Sequence, residues 1–284
     1  MRLMKREKGN NEYYYLQHSF RKNNKVITRE KYLGKAVPSN IDEIKRRFIE
    51  VCYKESLYRL FNSVKKNFQK EWGKYPESIK EKVKEQIAVA FTYNTNAIEG
   101  STITLDETRE IVEHKIAPHK PMRDIKETEN HAKIFLEMIN QKEKLSIPLI
   151  LKWHEQIFQE TKPDIAGKFR DYLVRVCEHI APDWQDVKRL MKELIIFYDE
   201  NKKMNAVELS ARMHYKFEKI HPFGDGNGRI GRLIMNQILW QNGYPLLIIE
   251  YTKRKPYYRA LQKDEDYFFN YFTRRYLKSH KKYL

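Results

Sequence analysis

A glycine-rich loop placed between two helices, rather than after a strand, decides most of what this chain can fold into. The stretch is ARMHYKFEKIHPFGDGNGRIGR, residues 211–232. Inside it, Gly226, Gly228 and Gly231 satisfy G-x-G-x-x-G, and Glu250 stands downstream about where a ribose-binding acid belongs in a dinucleotide fold. That fold needs a buried strand ahead of the loop. Here Met213, Phe217 and Ile220 recur at helical spacing with two lysines among them, so a helix precedes the loop and the βαβ context fails. The glycines serve another chemistry in a mostly helical protein.

The rest of the chain agrees. Asn40 with Glu43 resembles a capping box opening a helix through about Lys70, and Pro76 opens a second with Ile79, Val83, Ile87, Phe91 and Ile98 mostly on one face. Thr104 with Glu107, Asp124 with Glu127, Ser146 with Pro148, and Asp183 with Asp186 each read as a helix start. A further helix runs from about Val207 to Ile220, and the one after the loop ends at Gly243. Three places depart from this pattern. Residues 12–35, rich in Tyr, Val, Ile and Thr around a turn-like KNNK, predict a β-hairpin ending near Gly34. FRDYLVRVCEH (169–179) predicts a short β-type segment, and PLLIIEY (245–251) reads as a strand or as the lead into a helix.

Read as phosphate chemistry, the residues of HPFGDGNGRIGR (221–232) fit together. Gly224, Gly226 and Gly228 let a loop wrap with several N–H groups inward, and the following helix adds its N-terminal partial charge. Arg229 and Arg232 share one helix face, suited to gripping a polyphosphate. Asp225, a carboxylate in a cationic nest, is best explained by Mg²⁺ bridging phosphate oxygens. Asn227 offers an amide, and His221 titrates in the range of a general base near neutral pH. Each residue alone would also fit an ordinary turn with surface charges; the combination is what points to a site.

The string fits, without mismatch, the pattern His-x-Phe-x-Asp/Glu-Gly-Asn-Gly-Arg-x-x-Arg, and by it the chain resembles the Fic family, also called Fido. DIAGKFRDYLVRV (164–176) resembles the lead into that family's β flap, placing Leu173, Val174, Arg175 and Val176 in the flap. RKPYYRAL (254–261) resembles the segment that closes the adenine pocket, which implies a role for Tyr258. The resemblance covers roughly residues 85–262. It implies a mainly α fold, a Fic-type helical core with a small β flap; outside it, the residues themselves predict a helical segment (39–84), an N-terminal β-hairpin (1–38) and a C-terminal helix (263–284).

The resemblance also implies a protein adenylyltransferase using ATP and Mg²⁺. His221 would deprotonate a Ser, Thr or Tyr hydroxyl of a target protein, or of the protein itself. AMP would be transferred with loss of pyrophosphate. Asp225 would hold the metal, and Gly224, Gly226, Asn227, Gly228, Arg229 and Arg232 the phosphates, with Phe223 anchoring the loop in the core. Removal of AMP, or transfer of another nucleotide or phosphate group, remains open to the same site.

A second motif lies far upstream. In TNAIEG (95–100), Glu99 stands at a helix C-terminus, where cations are preferred, so something positive should compensate it or water must solvate it. The string resembles the Ser/Thr-x-x-x-Glu-Gly/Asn motif of the family's inhibitory helix. That implies Thr95, Glu99 and Gly100 in an inhibitory helix at about 85–100, with Glu99 pairing with Arg232 in the γ-phosphate's place.

Charge and cysteine content set the remaining expectations. The formal charge is +17, from 55 Lys+Arg against 38 Asp+Glu. Such a balance fits nucleic acid, an acidic partner or a phosphate-rich ligand, or simply a solvated lysine-rich surface. The hairpin, with Tyr13, Tyr14, Tyr15, Arg21, Lys22, Lys25, Arg29 and Lys31, is where nucleic acid would bind, which makes a nucleic-acid-binding regulator the reading from another class. Cys52 and Cys177 form no zinc or redox spacing, and Cys177 reads as a packing residue of the flap. His154 and His214 read as core or supporting residues rather than metal ligands, HEQIF not being H-E-x-x-H. With no signal-like segment and no apolar run of membrane-spanning length, the expected location is cytoplasmic, away from membranes. A homodimer is compatible with all of this.

Overall fold

The computed structural model describes residues 1–22, 25–176 and 179–284, with the main chain alone at 21, 22, 25, 176, 179 and 180. Asn23 and Asn24 of the KNNK turn, and Cys177, lie outside the described residues. The chain divides into two units, residues 1–62 and 63–284.

The first unit holds an antiparallel sheet in the order β1 (Arg2–Lys8), β2 (Asn11–Lys22), β3 (Lys25–Gly34). The expected hairpin is therefore two strands of a three-stranded sheet. RLMKREK has no β-branched or aromatic residue to announce a strand. It becomes one by pairing, from Lys8 opposite Asn11 to Arg2 opposite Gln17, across a turn in which Gly9 takes φ 61°. Against the sheet lies the first part of α1 (Ile41–Trp72): Leu16, Phe48 and Cys52 form a small core with Phe20, Leu33, Ile41 and Ile44 packed on it.

The second unit is helical. After α2 (Glu77–Ile98) come α3 (Leu105–Arg109), running on into a π-helical turn (Glu110–His114), α4 (Met122–Asn140) and α5 (Ile147–Phe158). A two-residue ribbon, β4 (Arg175–Val176) with β5 (His179–Ile180), precedes α6 (Trp184–Glu200), α7 (Ala206–Ile220) and α8 (Asn227–Gln241). A 3₁₀ turn (Tyr251–Lys253), α9 (Arg254–Gln262) and α10 (Glu265–Ser279) follow.

The helix starts are made as the side chains allow. Thr104 and Glu107 form a reciprocal capping box, Ser146 accepts from the Leu149 N–H, and Asp183 from the Gln185 N–H. One start differs. α4 begins after Pro121, so Asp124 and Glu127 are not its cap; both lie inside the helix, buried. Proline preorganises that first turn, and Glu127 is left for another purpose described below.

The middle of this unit is α8, buried at every position from Asn227 to Leu239 and packed on by α2, α4, α5 and α7. Its buried polar residues have partners. Asn236 donates to the Leu247 carbonyl (3.1 Å) and accepts from the Leu247 N–H (2.8 Å). Within PLLIIEY, the asparagine side chain bonds the Leu247 main chain in both directions as a neighbouring strand would, and residues 245–250 belong to no helix or sheet. Among the described residues no helix is long and apolar enough to cross a membrane.

Candidate active site

The loop between α7 and α8 is built around two unusual backbone positions. His221 ends α7 in the left-handed region (φ 50°, ψ 60°), its N–H donating to the Phe217 carbonyl at 2.9 Å. That region is uncommon for any residue but glycine, though histidine is among those that enter it, and the surroundings hold it there. Arg170 does so: Nε donates to the His221 carbonyl (2.8 Å), and its two terminal nitrogens to the carbonyls of Tyr172 (2.9 Å), Pro182 (2.6 Å) and Ile220 (3.4 Å). The Arg170 N–H donates to the Pro222 carbonyl. Nearly buried, this one residue joins the flap's base to the loop.

The second position is Gly226, at φ 80°, which caps α8. A Cβ there would also collide with the Phe158 ring, so glycine is required twice over. Phe223 is fully buried and stacks on His154 with centroids 3.8 Å apart. His154 Nδ1 accepts from the Gly167 N–H (3.0 Å), so its proton is on Nε2, which donates to the Asp225 carbonyl (3.0 Å). His154 is thus a core residue that shapes the loop.

Asn227 is 2% exposed, with Oδ1 accepting from the Phe223 N–H and Nδ2 donating to the Phe223 carbonyl, both at 2.9 Å. Its amide closes the loop on itself. Any contact with a ligand from this position falls to the backbone.

The charged residues form two corners on α8's first turns. At one, Arg229 is 5% exposed and paired with Glu127 of α4, with Asp225 at 3.5 Å, and lies over the Phe158 ring. Lys162, on the turn after α5, bridges Glu127 (3.0 Å) and Asp225 (2.6 Å). Asp225 Oδ1 also accepts from the Gly226 N–H. Burial works against charge on Asp225, but Arg229 and Lys162 outweigh it and hold the carboxyl below its usual range. The same balance lowers Glu127.

At the other corner, Arg232 is 1% exposed and donates to Glu99 Oε1 (2.6 Å), the Thr95 carbonyl (3.2 Å) and the Tyr257 hydroxyl (3.5 Å). Burial again opposes the charge, and Glu99 more than restores it. Glu99 follows α2's last residue, and Gly100 (φ 94°) turns the chain away. A Cβ on Gly228 would strike Glu99 Oε1, so the carboxylate rests directly on the first turn of α8. Such a turn offers N–H groups without helical partners and a partial positive charge. Tyr258 of α9 donates to the Ile98 carbonyl (3.0 Å), tying down the turn that carries Glu99.

In the flap, Tyr172 and Leu173 are exposed, the Ala181 N–H donates to the Val174 carbonyl, and Arg175 and Val176 pair with Ile180 and His179. A Cβ on Gly224 would meet the Tyr172 hydroxyl, so the flap's start lies against the loop. The loop, the Thr95–Gly100 turn, Tyr258 and the flap's start thus meet around the head of α8. Arg170, Tyr172, Glu127 and Lys162 belong to the same site without having been singled out from sequence. Arg170 stood within the quoted flap motif. Glu127 carried a signal that was read as a cap, and Lys162 carried none.

Burial lowers the His221 pKa to about 4, partly offset by the Glu218 main chain and the charges of Glu99 and Asp225. The ring is therefore neutral, and able to accept a proton, throughout the neutral range. Among the described residues no group of three or more His, Cys, Asp or Glu is placed to hold a metal by protein ligands alone.

Residues 144–239 match the Fic/DOC family model. The Protein adenylyltransferase Fic of Nematostella vectensis is 35% identical over 178 residues, covering 60% of this chain and 42% of that protein. The protein of the same name from Drosophila melanogaster is 36% identical over 181 residues, 60% of this chain and 36% of its own. The chain thus spans less than half the length of these curated relatives. Among solved structures, a Fic domain containing signaling protein from Bacteroides thetaiotaomicron superposes with a TM-score of 0.69 at 24% identity, over 78% of this chain and 95% of that one. Fic-1 from C. elegans does so at 0.73 and 23%, over 87% and 77%; these two likenesses concern the fold. The domain that holds the α7–α8 loop is thus similar to the Fic/DOC family.

Proposed function

We propose that the protein is a protein adenylyltransferase that moves AMP from ATP to a hydroxyl side chain of a target protein, and that Glu99 restrains it. The observation that carries this reading is the carboxylate of Glu99 resting on Gly228 and paired with Arg232. An internal anion occupies the very place where an outer phosphate would be held.

In this reading His221, neutral at working pH, takes the proton from the attacking Ser, Thr or Tyr hydroxyl. Arg229, Arg232 and the backbone of Gly224, Gly226, Asn227 and Gly228 receive the phosphates, Tyr258 borders the adenine, and Thr95 and Gly100 position Glu99. Leu173–Val176 present the target chain. The donor set at Asp225 suits Mg²⁺: a carboxylate with a 42% exposed side chain, other ligands being left to phosphate oxygens and water. Bound there, the metal would neutralise phosphate charge.

Glu99 lines the same pocket as Asp225, which keeps removal of AMP as a second reading, with Glu99 acting on water. The nucleic-acid regulator is less well supported. In the sheet Lys5 pairs with Glu12, Arg6 with Glu30 and Arg29 with Glu55, leaving less free charge than the sequence suggests. Self-modification, a homodimer and a cytoplasmic location belong to the proposal.

The test uses wild type and Glu99→Gly with α- and γ-labelled ATP and Mg²⁺. Retention of α label only, several-fold greater in the variant, is the expected result. Retained γ label means phosphoryl transfer instead, and equal α labelling by both proteins refutes the restraint. Salt-sensitive binding of DNA or RNA without any transfer would favour the regulator.

A further inference from the structure

The pocket beside Asp225, about 200 Å³, is lined by four carboxylates, each already paired. Glu99 has Arg232, Asp124 has Arg123, and Glu127 has Arg229 and Lys162. Asp225 has Lys162 at 2.6 Å. The partners differ in kind. Arg229 and Arg232 are almost wholly buried forks on α8, fixed by several contacts each. Lys162 is a point charge on a four-carbon stem, 23% exposed, rooted in a turn where its N–H donates to the Phe158 carbonyl and its ammonium lies over the Phe158 ring. An ammonium of this kind exchanges with another cation far more readily than a buried, forked guanidinium does. Asp225 is also the more exposed of its two carboxylate partners, 42% against 8% for Glu127.

We infer that Lys162 holds the cation position of Asp225, and that a divalent metal binds there by displacing it. The inference rests on Asp225 being the metal ligand in the function proposed above. The displaced lysine retains Glu127, 3.0 Å from it here, so exchange leaves no buried charge unpaired. Lys162 is a positioning residue: it sets the metal affinity by competition and touches no reacting atom.

The test reads metal binding rather than activity. Mn²⁺ is titrated into the protein saturated with ADP, whose phosphates complete the coordination sphere, and followed by water-proton relaxation enhancement. Lys162→Met keeps the length of the stem and removes the competitor, and should bind Mn²⁺ about tenfold more tightly, since a unit charge within a few ångströms is lost. Lys162→Arg installs a fork that grips the carboxylate with two N–H groups, and should bind about threefold more weakly. A Met variant that melts like wild type and binds Mn²⁺ no more tightly overturns the inference. If the Met variant does not fold, the Arg variant decides, and unchanged or tighter binding overturns it. Wild type that binds no Mn²⁺, or binds it equally after Asp225→Asn, removes the metal-ligand role of Asp225 and the inference with it. That result is distinct from a failed competition in a protein that does bind.

Discussion

The two arginine corners of α8 are three residues apart, and they are neutralised in opposite ways. Arg229 meets Glu127, a carboxylate with an 8% exposed side chain in the middle of α4, and Arg232 meets Glu99, 27% exposed at the loose end of α2. One partner is embedded in the core; the other is held by a helix terminus that three tethers keep in place. These are the Arg232 contact to Thr95, the Tyr258 contact to Ile98, and the Tyr251 N–H to Asn94 Oδ1 at 2.8 Å. The difference separates an ion pair anchored in the core from one held at a helix end.

His221 stands outside both corners, and the sharpest prediction follows from that. In His221→Ala both arginines keep their partners, so nucleotide affinity should stay near wild type. Transfer should fall by about 10²–10⁴-fold, about 3–5 kcal/mol of barrier. Nucleotide titrations and labelling assays in the Glu99→Gly background would show it, and undiminished labelling would remove His221 as the base.

The comparison can be broken directly by stability. Glu127→Ala leaves Arg229, 5% exposed, with the 3.5 Å contact to Asp225 and the Phe158 ring, and takes a partner from Lys162 and from the Thr161 hydroxyl. It should cost about 3 kcal/mol of unfolding free energy, as expected for a stranded buried charge. Glu99→Ala leaves Arg232 its bonds to the Thr95 carbonyl and the Tyr257 hydroxyl, and removes the more exposed of the two carboxylates, so it should cost about 1 kcal/mol. Urea denaturation of the two variants decides. Equal losses would mean that the corners are not different in kind.

These corners also show where sequence reasoning stops. The helices around the loop follow from spacing, whereas helix-end preference leaves Glu99 open between a cation and water, and only the resemblance to the inhibitory motif points it at Arg232. Glu127 follows from neither, because an acid three residues after an aspartate fits a capping box as well as it fits a buried pair. Only Pro121 starting α4 excludes the box. Arg170 and Lys162 act on residues 51 and 63 positions away, and no local pattern carries such a distance. β1 became a strand through pairing alone. Asn227 carries the amide that the motif reading aimed at phosphate, yet both its atoms serve the Phe223 backbone.

Acid should dissolve the core around the corners in a defined window. Burial lowers His131 well below its ordinary value, His154, His221 and His280 to about 4, and His214 to about 3. The unfolded chain binds protons at these groups near pH 6.5 while the folded chain does not, so stability rises with pH between about 4 and 6.5 and is lost on acidification. Glu218 opposes with one proton: burial pushes it up to about 8, so its contribution falls as pH rises from about 4.5 to 8. The histidines outnumber it five to one, and the net should be a loss of about 4 kcal/mol from pH 6.5 to 5.5. Thermal melts at constant ionic strength check the sign. A melting temperature that is flat or rising on acidification would contradict the burial assigned to these rings.

The smallest effect probes the tethers at the Glu99 corner. Tyr258→Phe removes one hydroxyl and its hydrogen bond to the Ile98 carbonyl, which belongs to the residue just before Glu99. The ring is 39% exposed, so the stability cost should be about 1 kcal/mol or less. If the corner opens by release of α2's last turn, that small loss should weaken the restraint, and Tyr258→Phe should raise transfer modestly in the wild-type background. In the Glu99→Gly background, with nothing left to release, it should change transfer little. Measuring the variant in both backgrounds forms a double-mutant cycle. A gain of the same size in both would place Tyr258 with the nucleotide rather than with the helix end. A gain confined to the Glu99 background would identify the last turn of α2 as the element that moves.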